Sequence, residues 1–362
     1  MIGMKTVLYD EHVKLNAHFT DFNGWDMPLY YKSIIEEHMS VRKHAGIFDV
    51  SHMGDITVRG REAGKFLDHM FPTKVSSLND GECIYTAFLN EKGQMIDDTI
   101  VYRMSSDSYF FVPNAGTTDK IYEWVTKNSK GFDVKIENVS SKISSIALQG
   151  PESESVISEL GFSYPGYFKF TYVNGKYKNA ITGKNDIIIS GTGYTGEKGV
   201  EFIIPNEYAV ELWRKLLSLV EKRSGLPCGL GSRDTLRMEK GMLLSGHDFN
   251  ENRDPYEASI SFIVNNDGDF IGKKSLEDRR KEDKQIFRGF ILSDGIPRSG
   301  NSVKVNGKVV GTLTSGSISP VLNKGIALGY IDKEYSKEGT KVFVEIRGKD
   351  HEATVSRPKI VK

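Results

Sequence analysis

The sequence predicts an α+β protein whose chain ends in a small all-β barrel or sandwich. Three observations lead there. Helix-like and strand-like stretches alternate from the N-terminus to about residue 276. Beyond residue 284 only short strand patterns with glycine turns remain, in FRGFILSD, SVKVNGKVVGTLTSG, GIALGYID, TKVFVEIRG and HEATVSR, the signature of a small barrel. Between the two, every residue from Glu277 to Lys284 is charged, as in a solvated helix end or linker. The division predicted is therefore a first region over 1–276 and a barrel domain over 285–362. A chain of 362 residues is long enough for two or three cores at roughly 150 residues each.

The elements follow in order. Ser33-Ile34-Ile35-Glu36 reads as a capping box, in which the serine hydroxyl takes the third backbone N–H and the glutamate reaches back. The helix it opens should stop at Gly46, a left-handed cap. Strand GDITVRG follows, then a short helix around Ala63, Phe66, Leu67 and Met70 that stops at Pro72. ECIYTAFLN and QMIDDTIVYRM flank the turn Glu91-Lys92-Gly93 as a hairpin, and SYFFVPN continues the sheet. Helix TTDKIYEWVTKN and strand DVKIENV come next. ISSIALQG reads as a strand, with Pro151 at the first position of the following helix. Asn174-Gly175 reads as a hairpin turn. NDIIISG and VEFIIP are strands on either side of a glycine loop. From about Glu207 to Lys222, Val210, Leu212, Trp213, Leu216, Leu217 and Val220 form the apolar stripe of a helix.

Composition excludes several function classes. Lys plus Arg and Asp plus Glu are both 48, for a formal charge of zero, which disfavours a nucleic-acid binder or a polybasic membrane-surface protein. No run of about 18 apolar residues appears. The first residues, MIGMKTVLYDEHVK, lack a signal-peptide core, and Met4 serves as well as Met1 for a start. Cys83 and Cys228 are isolated, and His38, His44, His52, His69, His247 and His351 show no ligand spacing, so neither a disulfide framework nor a metal site is expected. A reducing cytosol or organelle matrix suits such a chain, and a cytoplasmic location is the expectation.

Chemistry-bearing residues stand out against this background. Gly191-Thr192-Gly193-Tyr194-Thr195-Gly196 matches G-x-G-x-x-G. A dinucleotide site needs a helix after the third glycine, and here a strand follows, so a tight loop near a ligand, or a plain hairpin, is expected instead. Asp97-Asp98 sits inside an apolar strand. Alternation sends the two carboxylates to opposite faces, where one can be solvated and the other must be structural or chemical. Glu201 is a single acid within VEFIIP. A buried carboxylate suits the paired N–H groups of a heterocycle or an internal arginine. Ser232 can cap the helix DTLRMEKGMLL, and Arg233 then lies in its first turn. A cation there opposes the helix dipole, so an internal acid or an anionic ligand should face it.

Taken together, GWDMPLYY, GIFDVSHMG, QMIDDTIVY, ALQGP, GTGYTGEKGVE, PCGLGSRDTLRMEKG and SGSISPVLNKGIALGYI resemble the glycine cleavage T-protein family, the aminomethyltransferases of the folate-binding superfamily. The resemblance runs from about Thr6 to Pro358, with the motifs in the family's order. It implies a three-domain cloverleaf around a central folate channel, made of two interleaved α+β domains and the C-terminal barrel. It implies tetrahydrofolate as cosubstrate and lipoylated H-protein as partner, whose aminomethyl group yields ammonia and 5,10-methylenetetrahydrofolate. It also implies site residues. Asp98 takes the place of the family's key aspartate, orienting the folate and supporting its amine as ammonia leaves. Glu201 becomes the pterin anchor and Arg233 serves the ring region. Tyr85, Asn114 and Tyr167 complete the cofactor site, and no metal is required.

Some positions depart from the family pattern: Ser245 where a tyrosine is common, Phe262 where a tryptophan often stands, and a tail without the usual aromatic after Pro358. Two rival readings share the folate site. One is another tetrahydrofolate-dependent demethylase. The other is a non-enzymatic folate-binding factor, which would carry a cysteine motif absent from Asp269 to Lys274.

Overall fold

The structure, a computed structural model, describes residues 3–282 and 284–362. Met1 and Ile2 lie outside the described residues, as does Asp283 of the charged run. The chain forms two compact units: Met1–Met70, Lys74–Thr86 and Asp98–Arg233 in one, and Phe71–Thr73, Ala87–Asp97 and Asp234–Lys362 in the other.

In the first unit the chain runs through α1 (Tyr9–Lys14), the hairpin β1 (His18–Phe22) and β2 (Trp25–Tyr30), α2 (Ile34–Lys43), β3 (Gly46–Asp49), β4 (Ile56–Arg59) and α3 (Ala63–Met70). The hairpin β5 (Glu82–Leu89) and β6 (Met95–Ser105) passes into the second unit and back. Then come β7 (Ser108–Phe111), α4 (Thr118–Asn128), β8 (Lys135–Asn138), β9 (Ile143–Gln149), α5 (Ser153–Glu159), β10 (Phe170–Lys178), β11 (Asn185–Ser190), β12 (Gly199–Pro205), α6 (Asn206–Glu221), β13 (Leu226–Pro227) and the start of α7 (Leu230–Glu239). The strands form a six-stranded sheet, β10-β11-β12-β9-β3-β13, and a five-stranded sheet, β5-β6-β7-β4-β8.

Alternation along the strands decides which side chains meet. On β12, Val200, Phe202 and Ile204 join Ile146 and Leu148 of β9 beneath Leu212, Trp213, Leu216 and Val220 of α6. The opposite face carries Ile143, Ile188 and Ile203, which form one buried cluster with Cys83, Tyr102 and Phe110 of the other sheet. The two sheets therefore share a core, with helices covering the outer face of the six-stranded one. Each fully buried side chain of this kind contributes about 1.5–3 kcal/mol.

Several local expectations need correction. Ser33 does cap α2 through the Glu36 N–H at 3.2 Å, but the glutamate carboxylate takes the serine hydroxyl and Lys32 rather than a backbone N–H. The helix ends at Lys43 with His44 as its cap. Gly46 instead opens β3, where an added Cβ would lie 2.5 Å from Val41 and 2.6 Å from the Cys228 sulfur. Pro151 lies in a turn, and α5 starts two residues later. Asn174-Gly175 is not a turn: both residues lie within β10, at an irregularity in its pairing with β11. The reversal falls after it, where Asn179 N–H bonds Lys184 O at 2.8 Å and Gly183 has φ 74°. Ser232 lies inside α7, bonding Gly229 O at 2.9 Å, and is not its cap.

In the second unit, α8 (Lys273–Glu282) precedes β14 (Gln285–Leu292), β15 (Ser302–Val305), β16 (Lys308–Ser319), β17 (Lys324–Asp332), β18 (Lys341–Ile346) and β19 (Lys349–Ser356). These six close into a barrel, β14-β17-β16-β15-β18-β19, filled by Phe290, Leu292, Val303, Leu313, Val342, Val344 and Val355. The charged run is more than a solvated end. Its Arg279 pairs with buried Asp254 and Glu257, both at 3.1 Å. From α7, buried Arg237 reaches Asp248 and Ser315, each at 2.7 Å. Ser245 donates to Asp97 at 2.7 Å, while Phe262 stands exposed. Among the described residues no helix is long and apolar enough to cross a membrane.

Candidate active site

The inner faces of the two sheets in the first unit continue from apolar to polar. On β6 the residues alternate Asp98, Ile100, Tyr102 on the shared-core side, and on β12 Glu201 precedes Ile203 on the same side. Asn114 follows Phe110 and Val112 at the same spacing. Polar groups thus replace apolar ones where the shared core ends.

Asp98 is held from two directions. The Tyr85 hydroxyl donates to its Oδ2 at 2.7 Å, and Asn114 Nδ2 donates to its Oδ1 at 2.8 Å. These contacts fix the plane of a carboxylate that is itself buried. Its neighbour Asp97 is fully buried and belongs to the second unit. Alternation does send the pair to opposite sides, but neither carboxylate is solvated.

Glu201 finds a hydroxyl rather than an arginine as its hydrogen-bond donor. Thr192 Oγ1 donates to Glu201 Oε2 at 2.5 Å, and lies 3.0 Å from Ser190 Oγ and 3.3 Å from the Tyr102 hydroxyl. Tyr102 sits four residues from Asp98 on the same face of β6, so one strand face leads from the aspartate to the glutamate's support. Thr192 belongs to the glycine loop, which a strand follows as expected. The loop is clamped by Gln149: its Nε2 donates to Thr192 O at 3.1 Å, and its Oε1 accepts from Thr195 Oγ1 at 2.8 Å. A Cβ at Gly193 would sit 2.0 Å from that Oε1, which explains the glycine.

Arg233 lies in the first turn of α7, with its guanidinium carbon 4.9 Å from the centre of the Tyr194 ring. Burial pulls its pKa below the usual range, while the negative charge of Glu201 works the other way. Its Nη1 is buried and has no hydrogen-bond partner among the described residues. The anionic counterweight expected for a cation at this place is therefore Glu201, acting through its field.

Of the six residues drawn from the resemblance, Tyr85, Asn114 and Asp98 form one hydrogen-bonded group, and Arg233 feels the charge of Glu201. Tyr167 is 78% exposed and edge-on to Phe168 at 4.7 Å. Sequence reasoning missed Thr192, Tyr194, Gln149 and Tyr102. The first two lie in the glycine loop, whose lack of a following helix was the available signal that it serves something other than a dinucleotide.

Comparison with known proteins assigns the family. The GCVT N-terminal domain model matches residues 8–268 and the glycine cleavage T-protein C-terminal barrel domain model matches residues 286–362. An aminomethyltransferase of Caldanaerobacter subterraneus subsp. tengcongensis is 42% identical over 354 residues, 97% of this chain and 94% of the relative. That of Thermotoga maritima is 40% identical over 333 residues, 91% and 90% of the two chains. The crystal structure of glycine cleavage system aminomethyltransferase T from Bartonella henselae superposes with a TM-score of 0.90 at 30% identity, covering 99% of this chain and 98% of the other. With both domain models matched and near-full-length relatives at this identity, the chain belongs to the glycine cleavage T-protein family of aminomethyltransferases.

Proposed function

We propose that the polar end of the shared core binds tetrahydrofolate. On this reading the chain transfers the one-carbon unit of an aminomethyl group, carried by the lipoyl arm of H-protein, to that folate, with release of ammonia and formation of 5,10-methylenetetrahydrofolate. The observation that carries the reading is the orphaned Arg233 Nη1, buried within reach of the field of Glu201. A guanidinium and a carboxylate together suit a heterocycle that shows both a carbonyl and N–H groups, and the pterin ring is of that kind. The residues present therefore fit the cosubstrate.

When bound, the folate supplies the nitrogens that take up the one-carbon unit. Glu201, steadied by Thr192, anchors the N–H edge, and Arg233, stacked on Tyr194, serves the ring region. Asp98, fixed by Tyr85 and Asn114, orients the reactants and places a negative charge where positive charge develops. Orientation of this sort lowers a barrier by several kcal/mol, and a fixed charge in a dry site adds to it. Tyr167 is assigned to the exposed rim. The folate-binding region spans 1–276 and the barrel 285–362 on this reading, although residues 234–276 pack with the barrel's compact unit. The setting is the cytoplasm.

The test is a tetrahydrofolate titration of wild type and Glu201→Ala, paired with ammonia release by Asp98→Asn. Glu201→Ala should bind at least tenfold more weakly, the size of a lost charge-assisted hydrogen bond. Asp98→Asn should lose roughly 100-fold or more of turnover with its fold intact. Unchanged affinity in the first variant or near-normal turnover in the second refutes the corresponding assignment. Ammonia or one-carbon release that ignores lipoylated H-protein would turn the reading toward another tetrahydrofolate-dependent demethylase.

A further inference from the structure

The segment from Val50 to Asp55 is the one direct connection from β3, in the six-stranded sheet, to β4, in the five-stranded sheet. It is pinned at both ends. Val50 N–H bonds Ser145 O at 3.0 Å, and Ser51 N–H bonds Asp49 Oδ1 at 2.9 Å. Gly54 N–H bonds Pro113 O at 3.0 Å, immediately before the Asn114 that holds Asp98. His52 rides on this pinned segment and is 4% exposed, with its ring edge-on to Phe22 at 5.4 Å.

Two facts make His52 more than a packed core histidine. Its Nδ1 is buried and has no hydrogen-bond partner among the described residues. The group whose positive charge acts on it is Arg233, the side chain with the other orphaned nitrogen in this region. Buried polar atoms are almost always satisfied; Asp55 Oδ1, on the same segment, can be met by its own proton, but an acceptor nitrogen at His52 and a donor at Arg233 need a partner that arrives with a ligand. Burial, with the Arg233 charge added and Asp49 opposing, brings the imidazole's pKa down to about 4. The ring is therefore neutral near pH 7. It suits a neutral N–H group better than an anion, whose charge Arg233 alone would answer.

We propose that His52 is a ligand-binding residue of this site, its Nδ1 accepting a hydrogen bond from a ring N–H of the bound reduced pterin while Arg233 Nη1 donates to the ring's carbonyl. The inference rests on the tetrahydrofolate reading above and adds a contact to it. Nε2 carries the ring proton in that arrangement, so the contact needs no change of protonation on binding.

The experiment uses the full chain labelled with nitrogen-15 histidine. The His52 ring signals are identified by their loss in His52→Asn, and tetrahydrofolate is titrated under reducing conditions. Binding should move the unprotonated Nδ1 resonance of His52. Asparagine places a polar atom near the Nδ1 position, whereas phenylalanine keeps only the ring. His52→Asn should bind within about threefold of wild type, and His52→Phe should bind about tenfold more weakly, the size of one buried hydrogen bond. A wild-type chain that binds tetrahydrofolate with no movement of the His52 signals overturns this inference and leaves the folate reading standing. So does a His52→Phe variant that binds as tightly as wild type. No binding by wild type overturns both. The resonance of the unmutated protein keeps the test decisive even where a variant fails to fold.

Discussion

Replacing Gly193 by alanine should both destabilise the first unit and weaken ligand binding, because the glycine loop closes directly on Gln149. An added Cβ would lie 2.0 Å from Gln149 Oε1 and 2.5 Å from its Cδ and Nε2. Gln149 cannot step aside without loss. It is fully buried, and its amide bonds Thr192 O at 3.1 Å, Leu148 O at 3.2 Å and the Thr195 hydroxyl at 2.8 Å. Two of those bonds hold the loop. At about 1 kcal/mol each, plus about 1–3 kcal/mol for overpacking, the cost is about 3–5 kcal/mol. For a unit of this size that lowers Tm by roughly 10 °C. The displaced loop carries Thr192 and Tyr194, so tetrahydrofolate affinity should fall about tenfold as well. Gly183→Ala is the control. Its φ of 74° makes alanine strained, yet nothing lies within 4 Å of the added Cβ, so about 1 kcal/mol should be lost with affinity unchanged. Thermal unfolding and a binding isotherm decide the matter. A Gly193→Ala chain with wild-type Tm and affinity would show that the loop is not clamped as described.

Two further outcomes are expected. Arg237→Lys should cost the second unit about 3–5 kcal/mol in urea unfolding, because one ammonium cannot replace the fork that serves Asp234, Asp248 and Ser315 together; a loss below about 1 kcal/mol would contradict this. Asp55 is buried, its Oδ1 has no hydrogen-bond partner among the described residues, and burial pushes its carboxyl up to about 8. The folded chain then holds a proton that the unfolded chain releases near pH 4, so stability falls as pH rises from about 4 to 8 and levels off above. Asp55→Asn removes that slope and should gain stability over wild type at pH 8, by no more than about 5 kcal/mol. Parallel curves for the two proteins between pH 5 and 8 would refute the protonated state.

Periodicity made the strands legible. Val200, Phe202 and Ile204 against Glu201 and Ile203 already separate two faces, and the structure puts helices on one and the opposing sheet on the other. Turn chemistry was less reliable. Asn174-Gly175 has a strong local turn preference, but pairing with β11 overrides it, and a Cβ at Gly175 would make a tight 3.1 Å contact with the Asp186 backbone. Gly46 was misread for a similar reason, since its partners Val41 and Cys228 demand closeness rather than a left-handed backbone. Of the residues proposed for the site, Asp98 and Glu201 stand out in the sequence as lone acids in apolar strands. Tyr194 and the proposed His52 contact did not announce themselves, because each is read through Arg233, 39 and 181 residues further along the chain. Spacing carries no trace of such meetings.

The β5–β6 hairpin has its tip in one compact unit and its base in the other, and this bears on how the chain is made. Ala87, Phe88, Leu89 and Met95 are fully buried in the finished protein, yet they belong with a body whose main part begins only at Asp234. At roughly 5–20 residues per second of synthesis, the interval between translating residue 97 and residue 234 is about 7–27 s. Throughout it a greasy ribbon must wait on the ribosome for neighbours that do not yet exist. Nascent-chain aggregation and chaperone demand should therefore concentrate at this hairpin, and a polar substitution at its tip would ease biosynthesis while harming the mature fold.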